Sequence, residues 1–199
     1  MIFMATASHA AGLGVTPIPS GFSGDTSAGD NSAFFEGDSL SYVLSAPPEC
    51  RLVIDEVAEQ GYSLAFIPEG RPFDSAQMMI AVSILSNPDG GKTLPLADFI
   101  LTDTAAVTRH YGPGMAVSRV ALTDKIDDKG IVSFYLNDKT RFVPDVLLSY
   151  FSGGSEILVF QLSIREGFPR FEAEKAFVEC LSKFRILIKG SVTEFNADQ

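Results

Sequence analysis

The sequence predicts an α+β fold, a central antiparallel sheet with two long helices packed on it. Three observations lead there. Short apolar runs with strand-like alternation recur along most of the chain, cut by clusters of Gly, Pro, Asn and Asp. Two longer stretches, 94–110 and 171–188, carry apolar residues at helical spacing instead. Between them lie four consecutive strand-like runs with no helix intervening, which argues for an antiparallel sheet rather than alternating strand and helix units.

Residues 1–10 read as the remnant of a leader, because Ser8 and Ala10 are small residues placed three and one before a signal-peptidase cut. No positively charged stretch precedes them, so the leader is either truncated or the segment is a plain disordered terminus. Residues 11–39, rich in Gly, Ser, Ala, Pro and Asp, read as a flexible linker, with Phe34 and Phe35 the first side chains able to dock. A single α+β domain is expected over 40–190 and a disordered tail over 191–199.

Within the domain, Leu40, Tyr42 and Leu44 alternate until Pro47-Pro48 stops the run. Residues 52–54 form either a brief strand or the opening of a short helix reaching Ala58, since periodicity cannot arbitrate over so few positions. A strand follows at 63–67, ended by Pro68-Glu69-Gly70, and the continuous apolar run 78–85 predicts a central strand covered on both faces. After the turn at Asn87-Pro88-Asp89-Gly90-Gly91, the spacing of Leu96, Phe99, Ile100, Val107 and Tyr111 predicts the first long helix, stopped by Gly112-Pro113-Gly114. Strands at 116–123, 131–136, 146–151 and 157–164 read as a meander, joined by turn clusters such as Asp127-Asp128-Lys129-Gly130 and Ser152-Gly153-Gly154. Phe171, Phe177, Leu181, Phe184 and Ile188 mark the second helix, with Glu172, Glu174, Lys175 and Glu179 on its outer side.

A chain of 199 residues, 46% of them hydrophobic, is long enough to bury most of its apolar surface in one core. Its net charge of -10 and the lack of a basic patch exclude nucleic acid and anionic lipid as natural partners. No run approaches the roughly 18 to 20 apolar residues of a membrane helix. With 16 Phe, 5 Tyr and no Trp, the core must be filled largely by phenyl rings, which either simply pack or also line a pocket for a small apolar ligand.

The residues that carry chemistry are sparse. Cys50 and Cys180 are the only thiols, too isolated for a Cys-x-x-Cys redox pair or a zinc site. They are a candidate disulfide in an exported protein, or else two separate buried thiols. Ser86 to Thr93 ends in Gly-Lys-Thr as a phosphate-binding loop does, but Ser86 stands where the first glycine belongs and Pro88 has no amide hydrogen to offer; it reads as a turn. Asp124, Asp127 and Asp128 lack the spacing and the closing Glu of a calcium loop and read as a hairpin turn. Gly21-Phe22-Ser23-Gly24-Asp25 misplaces the last glycine of a nucleophile elbow. With His9 in the leader, any His-dependent site must be built around His110, which at a helix C-terminus beside Arg109 suits the helix dipole better. Asp55 and Glu56 are adjacent carboxylates that nothing singles out for acid–base work. No catalytic, metal-binding or cofactor-binding residue is therefore assigned.

The stretch Gly61-Tyr62-Ser63-Leu64-Ala65-Phe66-Ile67-Pro68-Glu69-Gly70 resembles the strand and Pro-x-Gly passage that opens PsbP-like proteins, and the helix around Phe177 to Phe184 is similar to their closing helix. The resemblance spans Leu52 to Leu187 in element order. It implies an α/β/α sandwich with a central antiparallel sheet, in a group made mostly of accessory or binding proteins, some exported or lipid-anchored. No lipobox Cys follows the leader here, and no site motif is present to carry residues across. The expected function is that of an exported, periplasmic or secreted, non-enzymatic protein that binds a protein or a small apolar ligand, without a cofactor. The alternatives are a hydrolase-like or transferase-like enzyme whose carboxylate and hydroxyl groups meet only in the fold, and a carrier of an apolar small molecule.

Overall fold

In the computed structural model, residues 16–17, 22–23, 31–36, 40–86, 95–111, 115–138, 146–154 and 156–188 are described. The β-branched and aromatic runs pair into two antiparallel sheets. β5 (Cys50–Val53), β6 (Leu64–Pro68) and β7 (Met78–Ser86) form one meander; β8 (Met115–Val120), β9 (Val132–Asp138), β10 (Val146–Ser152) and β11 (Glu156–Ile164) form a second. The two join where β7 pairs along its whole length with β11, giving the order β5-β6-β7-β11-β10-β9-β8. A two-residue strand, β1 (Thr16–Pro17), adds to the end of β7. β7 and β11 are the longest strands and sit at the centre, as their continuous apolar character requires.

The second sheet was not foreseen. β2 (Phe22–Ser23), β3 (Ser32–Glu36), β4 (Leu40–Ser45) and β12 (Arg185–Ile188) run in the order β12-β4-β3-β2. This corrects the linker assigned to 11–39, because three short strands lie within it and Ala33 and Phe35 of β3 are buried in the core. The small and polar residues around them hid a strand that is held by its pairing with β4. The leader at 1–10 and the tail at 191–199 lie outside the described residues.

Helices cover both faces of the main sheet. Along β10, Val146, Leu148 and Tyr150 pack with Phe99, Ile100 and Val107 of α2 (Leu96–Tyr111; the one-turn α1 is Asp55–Ala58). The alternate residues Leu147 and Phe151 pack on the other face with Ala173, Phe177 and Leu181 of a further helix, Arg170–Lys183, and with Ala33, Phe35, Tyr42 and Leu44 of the second sheet. A third, smaller core lies beneath α1, around Val57, Tyr62, Ala65 and Met79. Among the described residues the architecture is thus α+β, predominantly sheet, with two sheets and four helices in place of one sheet carrying two helices.

Two further expectations are corrected. The Asp124 to Gly130 segment is a helical turn, α3 (Asp124–Asp127), that anchors Ile126 in the core between β8 and β9. The last helix, α4 (Arg170–Lys183), stops short of Ile188: Phe184 is extended at ψ 126°, and Arg185 to Ile188 pair with β4 as β12. Lys129 supplies the reason for the stop, since its Nζ donates to the carbonyls of Leu181 at 3.1 Å, Ser182 at 2.7 Å and Phe184 at 2.9 Å. An ammonium there satisfies orphan carbonyls and sits at the negative end of the helix dipole. Phe171, expected on the buried face of this helix, is 78% exposed.

Candidate functional site

Two carboxylates are sealed inside this fold, each held by a tyrosine. Glu156, at the start of β11, accepts a 2.7 Å hydrogen bond from the Tyr42 hydroxyl of the second sheet. Asp103, on the inward face of α2, accepts one of 2.7 Å from the Tyr150 hydroxyl of β10. Glu156 is only 2% and Asp103 4% exposed, and both tyrosines are fully buried. The first pair lies in the core shared with α4 and the second in the core beneath α2.

The surroundings of Tyr42 fix its hydroxyl tightly. Its ring stacks on Phe35 at 5.9 Å and on Phe184 at 6.0 Å and meets Phe151 edge-on at 6.3 Å. Above the hydroxyl, the Gly153 N–H closes the β10–β11 turn on the Glu156 carbonyl at 2.9 Å. A Cβ at Gly153 would overlap the Tyr42 hydroxyl oxygen and come within 2.9 Å of Cζ, so only glycine allows the turn this close. Burial, then the hydrogen bond to Glu156 and its charge, hold the Tyr42 phenol well above the ordinary tyrosine range. For Tyr150 burial is again first, followed by the charge of Asp103 and the hydrogen bond to it. Such phenols are donors, and neither they nor their carboxylates can meet a substrate through a closed core. A third polar contact, Ser133 Oγ to Ser149 Oγ at 2.7 Å, is equally buried.

The sequence-designated thiols, Cys50 and Cys180, are both buried and free, and both belong to the core shared by α4 and the second sheet. Burial, with Glu69, Glu49 and Glu179 nearby, pushes the Cys50 thiol up to about 11. Burial and the charge of Cys50, against an opposing effect of Lys183, push Cys180 up to about 12. Neither is an activated nucleophile.

The remaining candidates are not brought together. Asp55 and Glu56 are exposed in the first turn of α1. Asp124 and Asp127 are the end residues of α3 and Asp128 follows it, and among the described residues no three His, Cys, Asp or Glu side chains are placed to hold a metal ion. The His110 side chain, His9 and the turn 87–94 lie outside the described residues, as do all of 21–25 save the two residues of β2.

Sequence reasoning missed both tyrosine–carboxylate pairs. Asp103 left a trace: it falls on the apolar stripe of α2, between Phe99, Ile100 and Val107. Glu156 left none, since an acid after Gly153-Gly154-Ser155 reads as an ordinary turn residue.

The outer edge of the main sheet differs from its sealed interior. Among the described residues β8 pairs only with β9, and Val117, Ser118 and Arg119 in its middle are exposed, so side chains on both faces of the strand reach water. No described helix is long and apolar enough to cross a membrane.

No family model and no curated protein matches the chain. Its structure is similar to the solution structure of cyanobacterial PsbP (CyanoP) from Synechocystis sp. PCC 6803, with a TM-score of 0.46 and 17% identity, over 76% of this chain and 94% of that one. The likeness is one of fold alone, and no residue's role is taken from it.

Proposed function

We propose that this is an exported, non-enzymatic binding or accessory protein that takes an extended segment of a partner protein along the outer edge of β8. The observation that carries the reading is the exposure of Val117, Ser118 and Arg119 on a six-residue edge strand. Unpaired N–H and C=O groups on such an edge are a template for strand addition, with main-chain bonds giving affinity and alternate side chains giving selectivity. Arg119 favours a segment that presents a carboxylate or a backbone carbonyl. A second copy of the chain is the less suitable occupant, because two bodies of net charge -10 repel. The two tyrosine–carboxylate pairs are sealed in the cores, and the reading therefore looks to the surface.

The test uses a photocrosslinking residue at position 117, with position 101 on the exposed side of α2 as the control, in the protein's own host. A discrete adduct from 117 and none from 101 is expected. Adjacent amides on a strand point to opposite sides, so Ser118→Pro and Arg119→Pro are made separately. The one that preserves the unfolding midpoint has its amide facing outward, and it must abolish the adduct. An adduct that survives in that variant, or one from 101 alone, removes the β8 edge from consideration. Export is read by N-terminal sequencing of the host protein, which should begin near Ala11; an intact Met1 on cytoplasmic material refutes it.

A further inference from the structure

Where the core beneath α1 meets the core beneath α2, the two central strands carry polar side chains in place of apolar ones. Side chains alternate along a strand, so Met79, Ala81, Ser83 and Leu85 of β7 share one face. Met79 and Ala81 belong to the core beneath α1 and Leu85 to the core beneath α2, with Ser83 between them. On β11 the same face carries Ile157 and Val159 under α2, then Gln161 and Ser163. The register sets Ser83 opposite Val159 and Gln161 opposite Ala81, so Ser83 and Gln161 are diagonal neighbours on adjacent strands. Both are buried, at 1% and 4% exposure. The Gln161 amide is anchored at one end, its Nε2 donating to Ser163 Oγ at 2.9 Å. Its Oε1 and the Ser83 Oγ have no hydrogen-bonding partner within the protein. Tyr150, in the same row as Ser83 across β11, has its hydroxyl committed to Asp103.

Stranding a hydroxyl and an amide oxygen in a dry interior is strongly unfavourable. A water molecule that bridges two polar groups too far apart to touch is the usual remedy. The row that holds Gln161 continues with Ala81 and Ala65, whose methyl groups fill little of the layer beneath α1. No side chain in these two rows of the sheet carries a charge, which suits a neutral occupant. We propose that the face of the main sheet between α1 and α2 holds one structural water, which accepts from the Ser83 hydroxyl and donates to Gln161 Oε1. It ties β7 to β11 through their side chains at the junction where the two meanders join. The proposal is independent of the β8 edge.

Two measurements on the full chain test it. A high-resolution crystal structure of the unaltered protein should show one density peak within about 3 Å of both Ser83 Oγ and Gln161 Oε1. In urea unfolding, Ser83→Ala should lower the folding equilibrium constant about tenfold, because it removes one of the water's two anchors. In a Gln161→Met background, where the other anchor is already gone, the same substitution should leave that constant unchanged or raise it. The absence of a peak, a direct contact between the two side chains, or the extended density of a larger molecule overturns the proposal. So does a Ser83→Ala chain as stable as the parent or more so, since removing a truly unpaired hydroxyl relieves its desolvation. An equal loss in both backgrounds overturns it too, by showing that Ser83 and Gln161 share no bridge. Should either variant fail to fold, the crystal structure alone decides.

Discussion

Gly153→Ala tests the claim that one hydroxyl locks the second sheet onto the first. The new Cβ would overlap the Tyr42 oxygen and sit 2.9 Å from Cζ and 3.3 Å from Cε1. Tyr42 has nowhere to go, since Phe35, Phe151 and Phe184 enclose its ring and none of it reaches solvent. Either the β10–β11 turn lifts, or the ring tilts and gives up its 2.7 Å bond to Glu156. Overpacking of this kind costs about 1–3 kcal/mol, and loss of a hydrogen bond to a buried carboxylate costs about 1.5–3 kcal/mol. The loss is thus about 1–3 kcal/mol if the turn lifts and roughly 2.5–6 kcal/mol if the bond is given up as well, a large fraction of a typical domain's 5–15 kcal/mol. Urea unfolding should show the midpoint falling with the m-value unchanged. The decisive measurement is the double-mutant cycle with Tyr42→Phe. Removing the hydroxyl takes away the worst overlap and leaves the milder approach to the ring, so the second substitution should cost about 1–2 kcal/mol less in that background. If the two changes add within about 0.5 kcal/mol, the hydroxyl is not what Gly153 makes room for.

Other expectations follow from the same contacts. Lys129→Met removes three hydrogen bonds from the end of α4 and should cost about 1–3 kcal/mol in urea unfolding; a loss under about 0.5 kcal/mol would show that water caps the helix equally well. The reduced protein should weaken in alkali: folded pKa values of about 11 for Cys50 and about 12 for Cys180 lie above the ordinary 9.0, so their stabilisation is complete below pH 9 and is lost as pH rises through 11 and 12. Tyr42 and Tyr150, also raised, add to the loss from about pH 10 upward. A chain carrying both Cys50→Ala and Cys180→Ala should keep only the tyrosine part, and an unchanged pH profile in that chain would contradict the thiol assignment. Phe171→Ser should change the thermal midpoint by the equivalent of less than about 0.5 kcal/mol, because the side chain is 78% exposed; a larger loss would place it in a packed contact.

Strands were legible wherever burial forced a long apolar run. The 78–85 and 157–164 runs became β7 and β11, the central pair, and 94–110 became α2 within two residues at either end. The 52–54 ambiguity resolved into both alternatives in succession, with β5 ending at Val53 and α1 running from Asp55 to Ala58. Failures came where the deciding partner was distant in sequence. Phe177, Leu181, Phe184 and Ile188 keep helical spacing across the true end of α4, and what ends it is an ammonium from the α3 turn, together with a β4 edge waiting for Arg185 to Ile188. β3 was masked in the same way, since Ser32-Ala33-Phe34-Phe35-Glu36 acquires its strand character from β4. Of the buried polar groups only Asp103 was readable, as a carboxylate on an apolar stripe; the Glu156 pairing depends on a second sheet that local sequence does not announce.

Where the polar side chains were spent bears on what this molecule can do. A core of phenyl rings and branched aliphatics packs in many nearly equivalent ways, and hydrophobic contact alone selects weakly among them. A tyrosine hydroxyl that must reach one carboxylate selects strongly, because any slip of one layer leaves a donor and an acceptor stranded in a medium where that is expensive. Tyr42 and Glu156 set the second sheet against β11 in this way, and Tyr150 and Asp103 set α2 against β10. Groups held by that requirement cannot also rearrange around a reacting substrate, so the chemistry visible in the interior is spent on register. Among the described residues the outer edge of β8 carries no such contact, and the strand-addition proposal expects substitutions at Val117 to Arg119 to separate partner binding from stability.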